Sequence, residues 1–208
     1  QSFTSIFDST DVIGIGDIAV NWKTRTIWVG TGEVNSSRST YAGVGIYKST
    51  NNGKHWTYVG LPESHHIGKI QLHPTDNNIA WVAAMGHLYS ANKERGVYKT
   101  TDGGLSWQHT LFIDDNTGAI DIEMNPTNTN ELYAASWYRT RRSWNFEEGG
   151  ATSNIYKSTD GGNNWKLLTN AASGFPTGAG IGRIGLAIAA SKSNTIYAVV
   201  DNQNRMPD

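Results

Sequence analysis

The chain has 208 residues, and 17 Lys and Arg stand against 18 Asp and Glu, so its formal net charge is −1. A near-neutral chain has no global field that attracts nucleic acid, and we expect no nucleic-acid partner. The absence of cysteine excludes a disulfide framework, a thiolate metal site and a cysteine nucleophile. The sequence contains no run of about 18 apolar residues, which is the length that a membrane-spanning helix needs. Twenty-three Gly, eight Trp and nine Tyr indicate many short strands and turns, which predicts an all-β fold.

One hairpin motif occurs three times, each time after Ile or Val, Tyr and Lys. Its order is Ser/Thr-x-Asp-x-Gly-x-x-Trp, with Asn replacing Asp in the first copy. Asp or Asn accepts hydrogen bonds from the following backbone N–H groups, Gly supplies a positive φ, and Trp buries a large apolar surface. We therefore assign a structural role to these residues: Ser49, Asn51, Gly53, Trp56; Thr100, Asp102, Gly104, Trp107; Ser158, Asp160, Gly162, Trp165.

These hairpins resemble the Asp-box, or BNR repeat, of sialidases, xyloglucan-degrading glycoside hydrolases and sortilin-type receptor domains. With Gly-Thr-Gly-Glu at 30–33 and Gly-Ile-Tyr-Lys-Ser-Thr at 45–50, the whole chain is similar to large bacterial proteins labelled BNR-repeat glycosyl hydrolase or sortilin-like (VPS10-type). The resemblance implies a β-propeller of four-stranded antiparallel blades with Asp-box hairpins. Because the motif is structural in those families, it implies much about fold and little about function.

The motif tryptophans are 51 and 58 residues apart, a spacing that fits one four-stranded blade per repeat. Residues 1–8 align with the outer strand that follows each motif Trp, so we expect them to belong to a preceding blade. We predict full blades at residues 16–60, 67–113 and 119–169, and the first two strands of a further blade at residues 182–201. Three blades with partial ones leave strand edges bare, so we predict an incomplete ring. The remainder of its own propeller or a partner chain would complete it.

Loop length predicts which end of the propeller carries a site. The Asp-box turns at one end are short and repetitive, whereas the other end, here called the long-loop end, carries long irregular segments. Binding residues concentrate on such loops, so we expect a ligand there. The segments include residues 33–38, 63–66, 86–95, 114–116, 137–150 and 171–180.

Four charged residues stand near the starts of the innermost strands: Asp17, Lys69, Asp121 and Arg183. Their alternating signs predict a polar ring in which neighbouring strands neutralise one another. The resemblance to glycosidases implies a second interpretation, in which Asp17 and Asp121 act as general acid and base. Because two blades separate them, we expect a distance above the roughly 6.5–9.5 Å of an inverting mechanism.

Other polar and aromatic residues of the long-loop end are candidate ligand contacts. Guanidinium groups beside aromatic rings suit sugar stacking and the binding of carboxylates. We do not predict a sialidase site with three arginines, because the motifs that accompany such a site are missing from the sequence. The histidines at 65, 66 and 87 lack metal-ligand spacing, so we predict no metal. Gly180 to Gly185 matches a dinucleotide pattern but precedes no helix, so no cofactor is expected. The ligand candidates are Glu33, Arg38, His66, His87, Arg95, Trp137, Arg142, Trp144 and Arg183.

Two functions remain open from the sequence. The first is an exported carbohydrate-active propeller that binds glycans, or hydrolyses them as a glycoside hydrolase. The alternative is a non-enzymatic scaffold of the sortilin-like type that holds a peptide or protein. Both imply an extracellular, periplasmic or cell-surface location.

Overall fold

The fold was taken from a computed structural model, which describes residues 2–35 and 40–204. In these ranges the secondary structure is sixteen strands and two single-turn 3-10 segments, Pro62–Ser64 and Ala171–Ser173, without an α-helix. Among the described residues, no helical segment has the length and apolarity needed to cross a bilayer. The all-β prediction is confirmed.

The described residues form three four-stranded antiparallel sheets and two two-stranded sheets. Blade 1 contains β1 (Ile15–Asn21), β2 (Thr26–Thr31), β3 (Ile46–Ser49) and β4 (Thr57–Tyr58). Blade 2 contains β5 (Ile67–Leu72), β6 (Ala80–Ala84), β7 (Gly96–Thr100) and β8 (Gln108–Leu111). Blade 3 contains β9 (Thr117–Met124), β10 (Leu132–Tyr138), β13 (Ile155–Ser158) and β14 (Lys166–Leu167).

A small hairpin and a partial blade complete the described strands. The hairpin, β11 (Thr140–Arg141) with β12 (Phe146–Glu147), is inserted between the second and third strands of blade 3. Blade 4 consists of β15 (Ile181–Ile188) paired with β16 (Ile196–Asn202). Because the first strand of each blade contacts the first strand of the next, the sheets are arranged radially. The chain is an incomplete β-propeller of three full blades and a partial one.

Glycine allows the inner strands to approach closely at a bulge near the start of each strand. The pairing register shifts between Ile15 and Asp17 in β1 and between Ile67 and Lys69 in β5. A Cβ at Gly16, inside the first bulge, would lie 2.0 Å from the carbonyl oxygen of Ile67 in the next blade. Backbones can pack this tightly only where no side chain intervenes.

The hydrophobic core lies between successive sheets rather than at the centre of the ring. Trp28 of blade 1 packs with Ile67 and Val82 of blade 2. The next two interfaces repeat this arrangement, with Trp81 against blade 3 and Trp137 against blade 4. Each interface buries an aromatic ring, and such rings contribute much of the apolar area that holds a sheet to its neighbour.

Residues 2–8 do not form the outer strand predicted for residues 1–8. They nevertheless occupy the equivalent place, because Trp56 Nε1 donates to the Ile6 carbonyl at 2.5 Å and the ring of Phe7 meets Trp56 edge-on. Trp107 donates in the same way to the Val59 carbonyl, which follows the outer strand of blade 1. A strand requires a ladder partner, and the described residues place none beside Ile6.

Candidate functional site

The three motif hairpins have one common hydrogen-bond pattern. In the second copy, Thr100 Oγ1 donates to Asp102 Oδ1 at 2.8 Å, and the same Oγ1 accepts from the backbone N–H of Gly104 at 2.9 Å. Asp102 Oδ1 also accepts from the Ser106 N–H at 2.9 Å. Hydrogen bonds from Ser106 and Thr100 lower the pKa of Asp102 to about 2. The motif carboxylate therefore shapes its own turn and is not free for chemistry.

The other copies show the same contacts. In the first copy Asn51 Oδ1 accepts from Ser49 Oγ and the His55 N–H, and Gly53 donates to Ser49, so the amide replaces the carboxylate without loss of geometry. In the third copy Asp160 accepts from Ser158 and from the Asn164 N–H, and its pKa lies well below the ordinary value because of hydrogen bonds from Asn164 and Ser158.

The Asp-box turns of blades 2 and 3 each contact the blade before them. Trp81 of β6 donates through Nε1 to the carbonyl of Gly161 at 3.0 Å, and a Cβ at Gly162 would lie 2.5 Å from that nitrogen. Lys99 bridges to Asn163 of the same turn at 2.9 Å. Blade-to-blade contacts thus occupy these turns at the Asp-box end.

The two acids of the inner strands are hydrogen-bonded to the main chain of the following blade. Asp17 Oδ2 accepts from the Ile70 N–H at 2.7 Å, and Asp121 Oδ2 accepts from the Leu186 N–H at 2.8 Å. The other oxygen of Asp121 accepts from the Ile122 N–H at 2.9 Å. These contacts give both carboxylates a structural use as links between blades.

Lys69 does not pair with either of these acids. Its Nζ lies 3.8 Å from Glu123 Oε1 of blade 3. Burial raises the pKa of Glu123, an effect that Lys69 opposes and that the nearby Asp121 and Asp17 carboxylates reinforce. The inner ring therefore contains one ion pair between blades and two carboxylate-to-backbone links, an arrangement different from the mutual neutralisation expected.

The segment that follows β2 extends across the long-loop end to the opposite blades. Arg183 is exposed and donates to the Val34 carbonyl at 3.0 Å, and Arg139 donates to the Asn35 carbonyl at 2.7 Å. Glu33 of the same segment is half-buried, and its Oε2 accepts from the Tyr41 N–H at 3.0 Å. Residues of blades 1, 3 and 4 are thus brought together over the inner strands.

Three of the ligand candidates are buried. Arg95 donates to the carbonyls of Asn116, Arg139 and His87, and burial lowers its pKa to about 10. Trp137 is 2% exposed and donates to the Glu148 carbonyl at 2.7 Å. His66 is also buried, and burial, with Arg139 and His65 nearby, lowers its pKa to about 4.

The remaining candidates differ in accessibility. Trp144 is 81% exposed, and Arg142 is also exposed, both in the loop between β11 and β12. His87 is half-buried at the end of blade 2. Arg38 lies outside the described residues. Trp144, Arg142, Arg183 and His87 are therefore the candidates that a ligand at this end could reach.

The structure places an acid beside two histidines that the sequence analysis considered as metal ligands and rejected for lack of spacing. Glu63 and His65 lie beside His87, with Glu63 Oε2 3.2 Å from His87 Nε2 and 3.9 Å from His65 Nε2. Arg139, buried at 1% exposure, lies over the rings of Trp137 and Phe146. Two histidines with a neighbouring acid were visible in the sequence, but their spacing indicates a common site only after the loops of two blades are folded.

Similarity to solved structures supports the propeller fold. An ancestral GH74 enzyme matches with a TM-score of 0.64 at 19% identity, over 90% of this chain and 22% of that chain. The GH74 xyloglucanase from Xanthomonas campestris matches with a TM-score of 0.62 at 19% identity, over 91% of this chain and 27% of that one. YCF48 from Cyanidioschyzon merolae matches with a TM-score of 0.51 at 14% identity, over 94% of this chain and 51% of that one.

At these identities the structural matches show a shared fold alone, and this chain spans about a quarter of the two GH74 proteins, 22% and 27%. No curated protein matches the sequence. A family model does: Sortilin-Vps10, described as "Sortilin, neurotensin receptor 3", matches residues 45–207, more than three quarters of the chain. This match over most of the sequence, together with the repeated hairpins and radial blades, shows that the chain belongs to the Sortilin-Vps10 family.

Proposed function

We propose that the chain is the ligand-binding part of an exported, non-enzymatic propeller that holds a peptide on its long-loop end. The observation that carries this proposal is the use of Asp17 and Asp121 as acceptors for backbone N–H groups of the following blades. A general acid or base must reach the substrate proton that it transfers. Membership of the Sortilin-Vps10 family supports the same choice.

The inserted hairpin of blade 3 provides a firm platform for such a ligand. The Arg141 N–H donates to the Leu88 carbonyl at 3.0 Å, which ties the hairpin to blade 2. The guanidinium of Arg141 lies 4.7 Å from the ring centre of Phe146, and Thr140 donates to Glu147 at 3.1 Å. Loops held in this way lose little entropy on binding, and their exposed cations favour acidic groups on the ligand.

A glycan ligand is the second candidate, with glycoside hydrolysis if the protein is an enzyme. The exposed indole of Trp144 beside arginines suits stacking on a sugar ring. A cavity of about 650 Å³ at the long-loop end is lined by Asp114, Asp115 and Glu147, which would offer carboxylates independent of the inner strands. One of the structural neighbours is a xyloglucanase.

Binding assays against a peptide library and a glycan panel separate the two candidates. Trp144→Ala should weaken binding of the recognised ligand at least about tenfold, because exposed aromatic anchors contribute strongly to recognition. Trp22→Ala is the matched control, since Trp22 is equally exposed, at 84%, but lies at the Asp-box end. Peptide binding without turnover of any sugar supports the scaffold. Hydrolysis of a glycan that Asp17→Asn or Asp121→Asn abolishes would overturn it.

We further propose that the outer faces of blades 1 and 4 are covered in the working protein, by the remainder of its own propeller or by a partner chain. Ile18 of β1 is 53% exposed, and Tyr197 and Val199 of β16 are 63% and 79% exposed. Apolar side chains on a sheet face normally pack against another layer. Light-scattering mass in solution tests for a partner chain, and a monomer would exclude self-association as the cover.

A further inference from the structure

A cluster of one carboxylate and two imidazoles stands on the long-loop end between blades 1 and 2. Glu63 and His65 belong to the connection that follows β4, and His87 follows β6. One oxygen of Glu63 and one ring nitrogen of each histidine all lie within 4.8 Å of one another. The imidazole rings of His65 and His87 are stacked, with centres 3.7 Å apart and planes 16° from parallel.

The backbone holds both loops in place. His65 has a φ of 50° and a ψ of −42°, a combination that non-glycine residues rarely adopt, and its carbonyl accepts from the Gly43 N–H at 2.6 Å. The carbonyl of His87 accepts from the buried guanidinium of Arg95. Strained backbone that the surrounding contacts enforce is concentrated at functional sites. The ring carried by His65 is stacked on that of His87.

We propose that Glu63, His65 and His87 form a binding site for a divalent transition metal of the zinc class. Ligand atoms about 2.0–2.2 Å from a tetrahedral ion are separated by roughly 3.3–3.5 Å. The Glu63 oxygen lies 3.2 Å from His87 Nε2 and 3.9 Å from His65 Nε2. Because an imidazole binds a metal in the plane of its ring, one of the two stacked rings must rotate for both histidines to bind the same ion. Two imidazoles and one carboxylate suit Zn²⁺, Co²⁺ or Ni²⁺ better than Mg²⁺ or Ca²⁺.

The side chains of His65 and His87 are partly enclosed, at 32% and 26% exposure. Two stacked imidazolium rings would repel each other, so a double salt bridge to Glu63 does not explain the cluster. His87 Nε2 is itself buried and makes no hydrogen bond of good geometry with any described residue. A metal ion between His87 and Glu63, whose Oε2 lies 3.2 Å from this nitrogen, would use it as a ligand.

The other ring nitrogen of His87 lies near a serine hydroxyl group. His87 Nδ1 lies 3.5 Å from Ser90 Oγ, a contact that would set the tautomer leaving Nε2 free to ligate. Glu63 is 62% exposed at its side chain, so the ion would be reachable from solvent. Three protein ligands leave a fourth position for water or for a carboxylate of a bound molecule.

Calorimetric titration of the EDTA-treated protein with ZnCl₂ and NiCl₂ tests the proposal. We expect saturable binding of one ion per chain, no comparable binding of MgCl₂, and a melting temperature that rises with Zn²⁺ concentration. With CoCl₂, the intensity of the visible absorption bands reports the coordination geometry. His87→Ala, His65→Ala and Glu63→Gln should each weaken Zn²⁺ binding at least about tenfold.

The matched control is His55→Ala, because His55 is an exposed histidine in the Asp-box hairpin of blade 1, at the opposite end. Its Zn²⁺ affinity should equal that of the unmodified protein. Far-ultraviolet circular dichroism without metal should show that every variant is folded. Absence of saturable Zn²⁺ binding, retention of binding in the His65→Ala and His87→Ala double variant, or an equal loss in His55→Ala would each overturn the site.

Discussion

Trp28 and Trp81 allow the contribution of one blade-to-blade hydrogen bond to be measured. They occupy equivalent positions in the second strands of blades 1 and 2, β2 and β6, and are 2% and 1% exposed. The ammonium group of a lysine lies over each indole ring. Trp81 also donates to the Gly161 carbonyl at 3.0 Å, whereas no described residue accepts a hydrogen bond from the indole of Trp28. Substitution by Phe therefore shortens both rings but removes a buried hydrogen bond from one position alone.

The expected magnitudes follow from buried area and from the unpaired carbonyl. Replacing indole by phenyl removes about 40 Å² of buried apolar area, or about 1 kcal/mol at 25 cal/mol/Å². Trp28→Phe should lower the free energy of unfolding by this amount. Trp81→Phe leaves the Gly161 carbonyl without its donor, which adds about 1–3 kcal/mol and gives a total of about 2–4 kcal/mol.

Urea unfolding of the two variants, followed by tryptophan fluorescence and circular dichroism together, measures the difference. A change of 1 kcal/mol should move the melting temperature of a chain of this size by about 2–4 °C. The slope of the urea transition should stay constant, because both variants expose the same surface on unfolding. Equal losses at the two positions, or a larger loss at Trp28, would refute the assignment of a stabilising role to the Trp81 hydrogen bond.

Three further predictions test the turns, the pH dependence and the inner ring. Gly162→Ala should cost about 1–3 kcal/mol, because φ is +78° and the new Cβ would meet Trp81, whereas Gly185→Ala, with no atom within 4 Å, should be neutral or slightly stabilising in the same urea assay. Hydrogen bonds from Asn125 and Tyr133, together with Lys157, lower the pKa of Glu131 from 4.5 to about 2, so its contribution to stability is present above pH 4.5 and is lost as the pH falls towards 2. Melting temperatures at pH 5 and pH 3 should therefore differ less in Glu131→Gln, and an unchanged difference would contradict this origin. Asp121→Ala should lower the free energy of unfolding by about 2–3 kcal/mol, because two backbone N–H groups lose their acceptor. Asp121→Asn keeps one acceptor oxygen and should lose about half as much. Equal unfolding free energies for the two variants would contradict the role of Asp121 as a link between blades.

The blades were predictable because the determinants of each hairpin are close together in the chain. Ser158 bonds to Asp160 and to the N–H of Gly162, residues two and four positions further on. Such contacts form whenever the local sequence permits them, so three copies of the motif indicated three repeated units. The alternation of short strands and turns added the sheet around each hairpin. The same local logic failed at residues 2–8, since a strand also needs a partner strand.

The site was less predictable because its geometry depends on residues from different blades. Nothing near Asp121 in the sequence shows that Leu186 provides its hydrogen-bond donor, and nothing near Trp137 shows that blade 4 covers it. Both were expected to be available to a ligand. A charged or aromatic residue at a strand end has the same local pattern whether it faces solvent or the next blade, and only packing distinguishes the two cases.

Local sequence was therefore sufficient to establish the repeat, the all-β class and the division into an Asp-box end and a long-loop end. The folded arrangement decided which side chains share a surface there: it buried Arg95 and Trp137, used the inner-strand acid Asp17 as a link between blades, and placed His65 against His87. The physical reason is the range of the interactions. Turn hydrogen bonds connect residues two to four positions apart. Contacts between blades connect residues tens of positions apart, 53 for Asp17 and Ile70, and arise only when the sheets pack.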